Sequence, residues 1–264
     1  ANFSHNDNSI IDILKDSGVT KYALGGFDNL AITATAGEKY GAIYGTTFRR
    51  VTDDKSPYFG QLILNATTGL PEVGGSNVFL GNQQAYGLLG VTNTFGYKGI
   101  TLSFLVDARF GGKMFSSTLA AMQASGTAAE TVVNGARENF VVDGVVVDGT
   151  GFKKNTVAVT PQNYWTAVAT TGNMGIIEAN IYDASNVRLR NVQLSYQLPK
   201  SFLSKARIQK ATVGVSCNNV WLISSHMKGL DPESVFATGT NALGFENASP
   251  PTSRTILFNL TLNF

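Results

Sequence analysis

The chain has 264 residues, of which 43% are hydrophobic and only 14% charged, with 28 glycines and a net charge of +2. This composition excludes a disordered chain and is unlike a highly charged soluble enzyme. Lys and Arg do not form blocks interleaved with aromatics, so the pattern of a nucleic-acid-binding protein is missing. No apolar run reaches the roughly 18 residues of a spanning helix, so any membrane span must be made of strands.

Three features bear on redox chemistry, processing and catalysis. Cys217 is the single cysteine, which excludes an intrachain disulfide and predicts a small apolar filler on a strand. Ala1–His5 lacks a signal-peptide pattern and an initiating Met, so we expect a mature chain or an internal fragment. The only histidines, His5 and His226, lie in predicted loops and no hydrolase motif occurs, so we expect no enzyme, although a carboxylate-only site stays open.

The first third of the chain is rich in turns. Ala1–Asn29 reads as loop with short segments, and Leu30–Arg50 as a hairpin that turns at Gly37–Lys39. Asp53–Asn82 reads as a long irregular loop with a short strand at Gly60–Asn65.

The clearest hairpin pairs Gln84–Phe95 with Ile100–Phe110 through the turn Gly96–Gly99. The second strand alternates over eleven residues, with Ile100, Leu102, Phe104, Val106, Ala108 and Phe110 on one face. A tilted strand needs about 9 to 11 residues to cross a bilayer. Asp107 and Arg109 fall on the opposite face, and we expect them to point away from lipid.

Gly111–Asn180 carries no comparable strand pattern. Phe115, Leu119 and Met122 recur at helical spacing before Ser125-Gly126, which predicts a short helix inside a long loop. Such a loop is unusual in a compact soluble domain but typical of one rim of an outer-membrane barrel.

Asn186–Leu198 reads as a strand whose alternation slips by one residue. A β-bulge between Arg190 and Val192 would return every apolar residue to one face. The other face would then carry a polar set that points to the lumen: Arg188, Arg190, Gln193, Ser195 and Gln197.

The next strand is Ile208–Ile223, reached through a polar turn at Pro199–Ala206. Trp221 near its far end is typical of an interfacial aromatic girdle. Ser224–Ser253 reads as another long loop. Within it Asp231-Pro232-Glu233 indicates a turn, with a cation site as the less favoured alternative because few other oxygen ligands are visible.

The final strand, Thr255–Phe264, places five apolar residues on one face: Ile256, Phe258, Leu260, Leu262 and Phe264. A strand that closes the chain on an apolar aromatic favours an outer-membrane barrel over a soluble sandwich, in which Phe264 would dock in an ordinary core. The strand order places the short turns and Phe264 at one rim and the long loops at the other. The predicted fold is all-β, part of a large antiparallel transmembrane barrel of outer-membrane type with long extracellular loops, one holding a short helix.

Several motifs together resemble the carboxy-terminal barrel of SusC/RagA-type TonB-dependent transporters. The resemblance runs from about Gly37 to Phe264 and rests on these segments: Gly41–Gly45, Asn93–Lys98, Asp107–Gly112, the run V-R-L-R-N-V-Q-L-S-Y-Q-L-P at Val187–Pro199, Asn218–Trp221, Lys228–Glu233 and the terminal strand. The chain departs from the family pattern at Cys217, where a small polar residue or glycine is commoner, and at Asn219-Val220-Trp221, where Asn-Leu is commoner.

The resemblance implies an importer of oligosaccharides or peptides in the bacterial outer membrane, with no cofactor. The family is much longer, so residues 1–264 would be the carboxy-terminal segment of the barrel, with roughly six to eight spanning strands. The plug, the remaining strands and the part that contacts TonB would lie outside this chain. The implied partners are those parts, a SusD-like surface lipoprotein over the long loops and outer-membrane lipid.

Four charges are expected inside the barrel: Asp107, Arg109, Arg188 and Arg190. Either they contact the plug or a polar substrate, or they form a mutual ladder that stabilises the wall. Two other classes stay open from the sequence: a self-contained small porin or adhesin barrel, and a soluble all-β binding module.

Overall fold

The computed structural model describes residues 1–15, 17–132, 135–170, 174–203, 208–227, 229–236 and 239–264. In chain order the strands are β1 (Asn2–His5), β2 (Lys21–Phe27), β3 (Leu30–Thr35), β4 (Ala42–Phe48), β5 (Val73–Asn82), β6 (Gly87–Tyr97), β7 (Ile100–Phe110), β8 (Lys113–Ser116), β9 (Phe140–Val141), β10 (Val145–Asp148), β11 (Gly151–Lys154), β12 (Ala158–Val159), β13 (Ile181–Asp183), β14 (Asn186–Gln197), β15 (Lys210–Ser225), β16 (Phe245–Glu246) and β17 (Thr255–Asn263). The helices are α1 (Ser117–Ala124), α2 (Pro161–Thr170) and α3 (Lys200–Leu203), with 3-10 turns at Ala129–Thr131 and Ile177–Asn180. Within the described ranges, every helix is too short or too polar to cross a membrane.

Six strands form one antiparallel sheet in the order β1-β6-β7-β14-β15-β17, which we call the wall sheet. The predicted hairpin of β6 and β7 is confirmed, and its two-residue turn is Lys98-Gly99. Both residues have positive φ, 46° and 86°, the backbone of the tight turn that matches the right-handed twist of the flanking strands.

The two faces of the wall sheet separate apolar from polar side chains. Cross-strand neighbours on the apolar face run in rows: Phe104, Val192, Cys217 and Ile256; Leu102, Leu194, Val215 and Phe258; Ile100, Tyr196, Val213 and Leu260. These side chains do not pack into a core, since Ile100 and Leu194 are each 46% exposed and Leu260 is 64% exposed. A soluble sheet would bury such a face, so the outward-facing arrangement predicted from the alternation is confirmed.

The predicted bulge in β14 is present, displaced by one residue. The register of β14 slips between Leu189 and Asn191 against both β7 and β15, which leaves Arg190 as the unpaired residue. Asn191 pairs normally with Leu105. The bulge returns the residues on either side to the expected faces, because Leu189 lies opposite Val106 and Val192 opposite Phe104.

The rims also follow the prediction. The Lys98-Gly99 turn lies beside the end of β14, where the Gln197 amide donates to the Gly99 carbonyl at 2.8 Å, and Lys210 pairs with Asn263 at the same end. The segments between β7 and β14 and between β15 and β17 leave from the opposite end. Part of the predicted turn Pro199–Ala206 is the short helix α3, while residues 204–207 lie outside the described part.

The two outer strands of the wall sheet, β1 and β17, do not pair with each other among the described residues. The sheet is therefore open, which does not support a small barrel closed by this chain alone. β1 belongs to Ala1–Asn29, for which the sequence predicted only loop and short segments.

Above the long-loop end, the segments between the wall strands fold around their own cores. A four-stranded sheet, β2-β3-β4-β5, packs through β4 against the 3-10 turn at Ile177–Asn180, and α1 contacts the same 3-10 turn. Their core is one cluster of buried side chains: Leu30, Ile32, Ile43, Phe115, Ala120, Ala169, Met174, Ile177, Ala242 and Phe245. The hairpin of β3 and β4 is confirmed, but it belongs to this body and not to the wall.

Two loop predictions were wrong in part. Val73–Asn82, assigned to an irregular loop, is the strand β5, whose alternation is hidden by three glycines and by register shifts against β4. Gly111–Asn180 contains the predicted helix α1 and also β8 to β12 and α2. Strands of two to four residues carry too little alternation to be recognised from sequence.

Candidate functional site

The charged residues predicted for the lumen lie together on the polar face of the wall sheet. Asp107 and Arg109 alternate along β7, and Arg188 of β14 is the direct cross-strand partner of Asp107. The bulge turns Arg190 onto the same face. Side chains on adjacent antiparallel strands are close enough to interact in this way.

Arg190 is the centre of an ion-pair network. Its Nε lies 2.7 Å from Asp107 Oδ2, and its Nη1 lies 2.8 Å from Glu233 Oε2. Its Nη2 also donates to Glu233 Oε1, which makes the pair bidentate. Nη1 further donates to Asn219 Oδ1 at 3.1 Å. Bidentate arginine–carboxylate pairs fix orientation as well as distance, so Arg190 holds Glu233 against the wall.

Arg188 makes a second link to the same loop. Its Nη2 lies 2.5 Å from Asp231 Oδ1, and its Nη1 donates to Thr252 Oγ1 at 2.7 Å. The Arg188 side chain is only 4% exposed. Its Nε is 3.7 Å from Glu233 Oε2 and makes no hydrogen bond there. Arg188 thus ties β14 to two separate points of the loop between β15 and β17.

Asp231 is held in its charged form by its surroundings. Burial by itself raises the pKa of Asp231, but hydrogen bonds from Thr252 and from the backbone amides of Glu233 and Thr252 act in the other direction. With the nearby charge of Arg188, they place the pKa below the ordinary value of 3.8. The carboxylate is therefore fully charged near neutral pH.

Arg109 differs from the other two arginines. Its Nη2 donates to the Gln83 carbonyl at 2.8 Å and its Nε to the Gly111 carbonyl at 3.4 Å. In the described ranges, no carboxylate lies within ion-pair distance of it. Arg109 lines a cavity of about 520 Å³ on the polar face, beside residues of β1 and near Arg190 and Glu233. Its charge is thus not neutralised by a direct partner.

The sequence predicted that the four charges lie on one face of the wall sheet. It did not predict that Asp231 and Glu233 of the loop pair with Arg188 and Arg190. Asp231-Pro232-Glu233 was predicted to be a turn, with a cation site as an alternative. The predicted turn is present, since the Ser234 amide donates to the Asp231 carbonyl at 3.0 Å. Both carboxylates bind arginines, and among the described residues no three His, Cys, Asp or Glu side chains could hold a metal ion. A signal was available: Arg188 and Arg190 of β14 outnumber Asp107 on the same face, which favours carboxylate partners in a nearby loop.

Comparisons with known proteins agree with this architecture. No family model matches the chain. The TonB-dependent receptor P3 of Formosa agariphila is 27% identical over 181 residues, which cover 67% of this chain and 16% of that receptor. The TonB-dependent receptor P26 of the same organism is 25% identical over 196 residues, 71% of this chain and 18% of the receptor. The matched region is thus less than a fifth of each relative.

Solved structures resemble almost the whole chain. The RagAB peptide transporter superposes with a TM-score of 0.59 at 16% identity, covering 99% of this chain and 26% of that one. The same importer in its open-open state gives a TM-score of 0.56 at 15% identity, again over 99% of this chain and 26% of that one.

The wall sheet, with one exposed apolar face and one charged face, is part of an antiparallel outer-membrane-type β-barrel. Sequence and fold together confirm the resemblance to the SusC/RagA-type TonB-dependent transporters. These similar proteins are named as receptors and a peptide importer, not as enzymes.

Proposed function

We propose that this chain is the carboxy-terminal part of the barrel of a TonB-dependent outer-membrane importer of oligosaccharides or peptides. The observation that carries the proposal is the exposed apolar face of β7, β14, β15 and β17. Unpaired strand edges are not stable in hydrocarbon, so β1 and β17 would pair with barrel strands outside this chain. The plug and the segment that contacts TonB would also lie outside it.

The long-loop end would face the cell exterior and carry a SusD-like surface lipoprotein. This assignment is supported by the folded body that the loops build there, since a rigid surface is easier to bind than separate flexible loops. The RagAB structures are described as a peptide importer, whereas the receptors P3 and P26 carry no cargo in their names. Both cargo classes therefore remain in the proposal.

The four lumen charges would divide between the two roles predicted for them. Asp107, Arg188 and Arg190 would stabilise the wall, because each is used in ion pairs with a neighbouring strand or loop. Arg109, whose partners are backbone carbonyls and which lines the cavity, would contact the plug or a polar cargo.

Cysteine labelling of the complete transporter on intact cells tests the orientation. In a Cys217→Ser background, Thr150→Cys places a thiol in the exposed turn between β10 and β11, and Lys98→Cys places one in the short turn. A membrane-impermeant maleimide should label Thr150→Cys on intact cells and Lys98→Cys only after permeabilisation. The reverse pattern would contradict the proposal. Failure of both cysteine variants to be labelled in the outer-membrane fraction would contradict it as well.

Uptake measurements test the energy source and the role of Arg109. Cells that depend on this transporter for a glycan or peptide should lose uptake when TonB is deleted. Arg109→Gln should lower uptake without lowering the amount of folded protein, whereas Arg49→Gln, which removes an exposed charge paired with Glu72, should change neither. Uptake that persists without TonB would contradict TonB coupling, and normal uptake by Arg109→Gln would contradict the contact role.

A further inference from the structure

A groove crosses the apolar face of the wall sheet close to the short-turn rim. It has a volume of about 600 Å³. Its walls are apolar or aromatic side chains from four strands: Ile100, Leu194, Tyr196, Val213, Val215 and Phe258. Unlike the loop cores, the groove lies open on the outward face, where Phe258 is 85% exposed.

One end of the groove is charged. Lys98, in the turn between β6 and β7, is the charged residue among its described lining. Its Nζ lies 5.2 Å from the ring centroid of Tyr97, and Tyr97 lies opposite Ile100 on the apolar face. The groove therefore runs from an apolar floor to a cation at the rim, with Tyr97 beside the cation and Tyr196 in the lining. Aromatic residues at this level are typical of the boundary between acyl chains and headgroups.

The charged side chains in the sequence segments that form the short-turn rim have one sign. The segments 96–104, 191–216 and 255–264 contain Lys98, Lys200, Lys205, Arg207 and Lys210. All 18 Asp and Glu residues of the protein lie outside these segments. Lys98, Lys200 and Lys210 are exposed, whereas Lys205 and Arg207 fall outside the described residues. Since the chain as a whole has a net charge of only +2, the positive charge of this rim is a local property.

We propose that the groove binds an anionic phospholipid of the membrane leaflet on the short-turn side. The acyl chain would lie along Leu194, Val213 and Phe258, and the headgroup phosphate would pair with Lys98. The inference rests on the proposed function, because it requires the apolar face to lie in the bilayer. Two independent features favour a lipid over an acidic protein: the described lining of the groove is mainly apolar or aromatic, and Lys98, the cation of that described lining, lies at the end where headgroups would begin.

Native mass spectrometry of the complete transporter in a neutral detergent tests the proposal. The probes are phosphatidylglycerol and phosphatidylcholine with identical acyl chains. Unmodified transporter should retain phosphatidylglycerol about fivefold more than phosphatidylcholine, the effect expected of one lysine beside an anionic headgroup. Lys98→Gln should abolish this preference, and Val213→Phe, which fills the groove, should lower retention of both lipids. Lys55→Gln, an equal charge change in an exposed long-loop turn, should behave as the unmodified protein does.

The outcomes separate this inference from the proposed function. Outer-membrane fractionation and heat-dependent gel mobility establish that each variant is folded and inserted. Equal retention of the two lipids by the inserted transporter, or a preference that survives Lys98→Gln, would overturn the lipid site and leave the transporter assignment intact. Binding of an acidic protein to the rim that is lost in Lys98→Gln, without any lipid preference, would likewise overturn it. A complete protein that does not reach the outer membrane would overturn the proposed function itself.

Discussion

Asp231 and Arg188 are 43 residues apart in the chain, yet their side chains meet at 2.5 Å and are almost completely buried. The contact joins the loop between β15 and β17 to a central strand of the wall sheet. Burial makes the pair expensive to break, because removing one partner leaves the other charge without water or a counter-ion. The position of the loop therefore depends on this contact more than on the exposed ion pairs elsewhere.

Replacing Arg188 by methionine is expected to release the loop. The substitution keeps much of the apolar stem but leaves the Asp231 carboxylate buried and unpaired, a cost of about 3–5 kcal/mol. Hydrogen exchange of the amides of Glu233 and Ser234 should accelerate accordingly. Arg49→Met breaks an exposed pair with Glu72 and should cost about 0–1 kcal/mol. Equal effects of the two substitutions would show that burial of Arg188 does not matter.

Acid should loosen the same loop. The pKa of Asp231 in the folded protein lies below 3.8, so its contribution to stability is present in full above the unfolded pKa. That contribution is lost as the pH falls through the folded pKa. Exchange of the Glu233 amide, corrected for its intrinsic rate, should rise only below about pH 3.8. In Asp231→Asn this acid-dependent step should be missing, and a step of unchanged size would contradict the assignment.

Two residues of β17 on opposite faces test which face meets lipid. Ile256 lies in the apolar row with Cys217, Val192 and Phe104, midway along β7, and Asn259 lies opposite Gly214 on the polar face. Ile256→Arg should destabilise the inserted barrel by about 2–4 kcal/mol, the cost of a charge near the bilayer midplane. Asn259→Arg adds the same charge to the polar face and should have little effect. Denaturant unfolding of the complete protein in lipid vesicles measures both, and a larger effect of Asn259→Arg would reverse the faces.

The turn between β6 and β7 depends on Gly99. This residue has φ of +86°, and an added Cβ would lie 3.2 Å from the Gln197 carbonyl oxygen. Gly99→Ala should therefore destabilise the hairpin by about 1–2 kcal/mol. Gly96→Ala is the matched control, because no atom lies within 4 Å of its added Cβ. Thermal unfolding of the complete protein compares the two, and equal stabilities would show that the turn tolerates a side chain.

The sequence predicted those elements whose pattern is local and long. β7 alternates over eleven residues and β14 over twelve, and both were identified with their faces. The bulge was placed one residue late, because the alternation is equally well restored by an extra residue at Arg190 or at Asn191. Only the pairing with β7 and β15 decides between them.

The missed features depend on long-range contacts. β1 has four residues and is a strand because Phe3 pairs with Leu89. The helix α2 begins at Pro161, where Thr160 Oγ1 accepts the Asn163 amide, and it packs against α1. The partners of Arg188 and Arg190 were missed for the same reason, since no spacing relates Asp231 and Glu233 to β14.

The bulge at Arg190 gives β14 one more residue than β7 has opposite it. Val187 and Leu189 share a face with Val192 and Leu194 because this extra residue absorbs the slip in alternation. Deleting Arg190 would leave a strand of regular alternation with the same faces, so the apolar surface would be kept while the ion pairs to Asp107 and Glu233 would be lost. The bulge therefore serves the attachment of the loop between β15 and β17 and not the apolar surface.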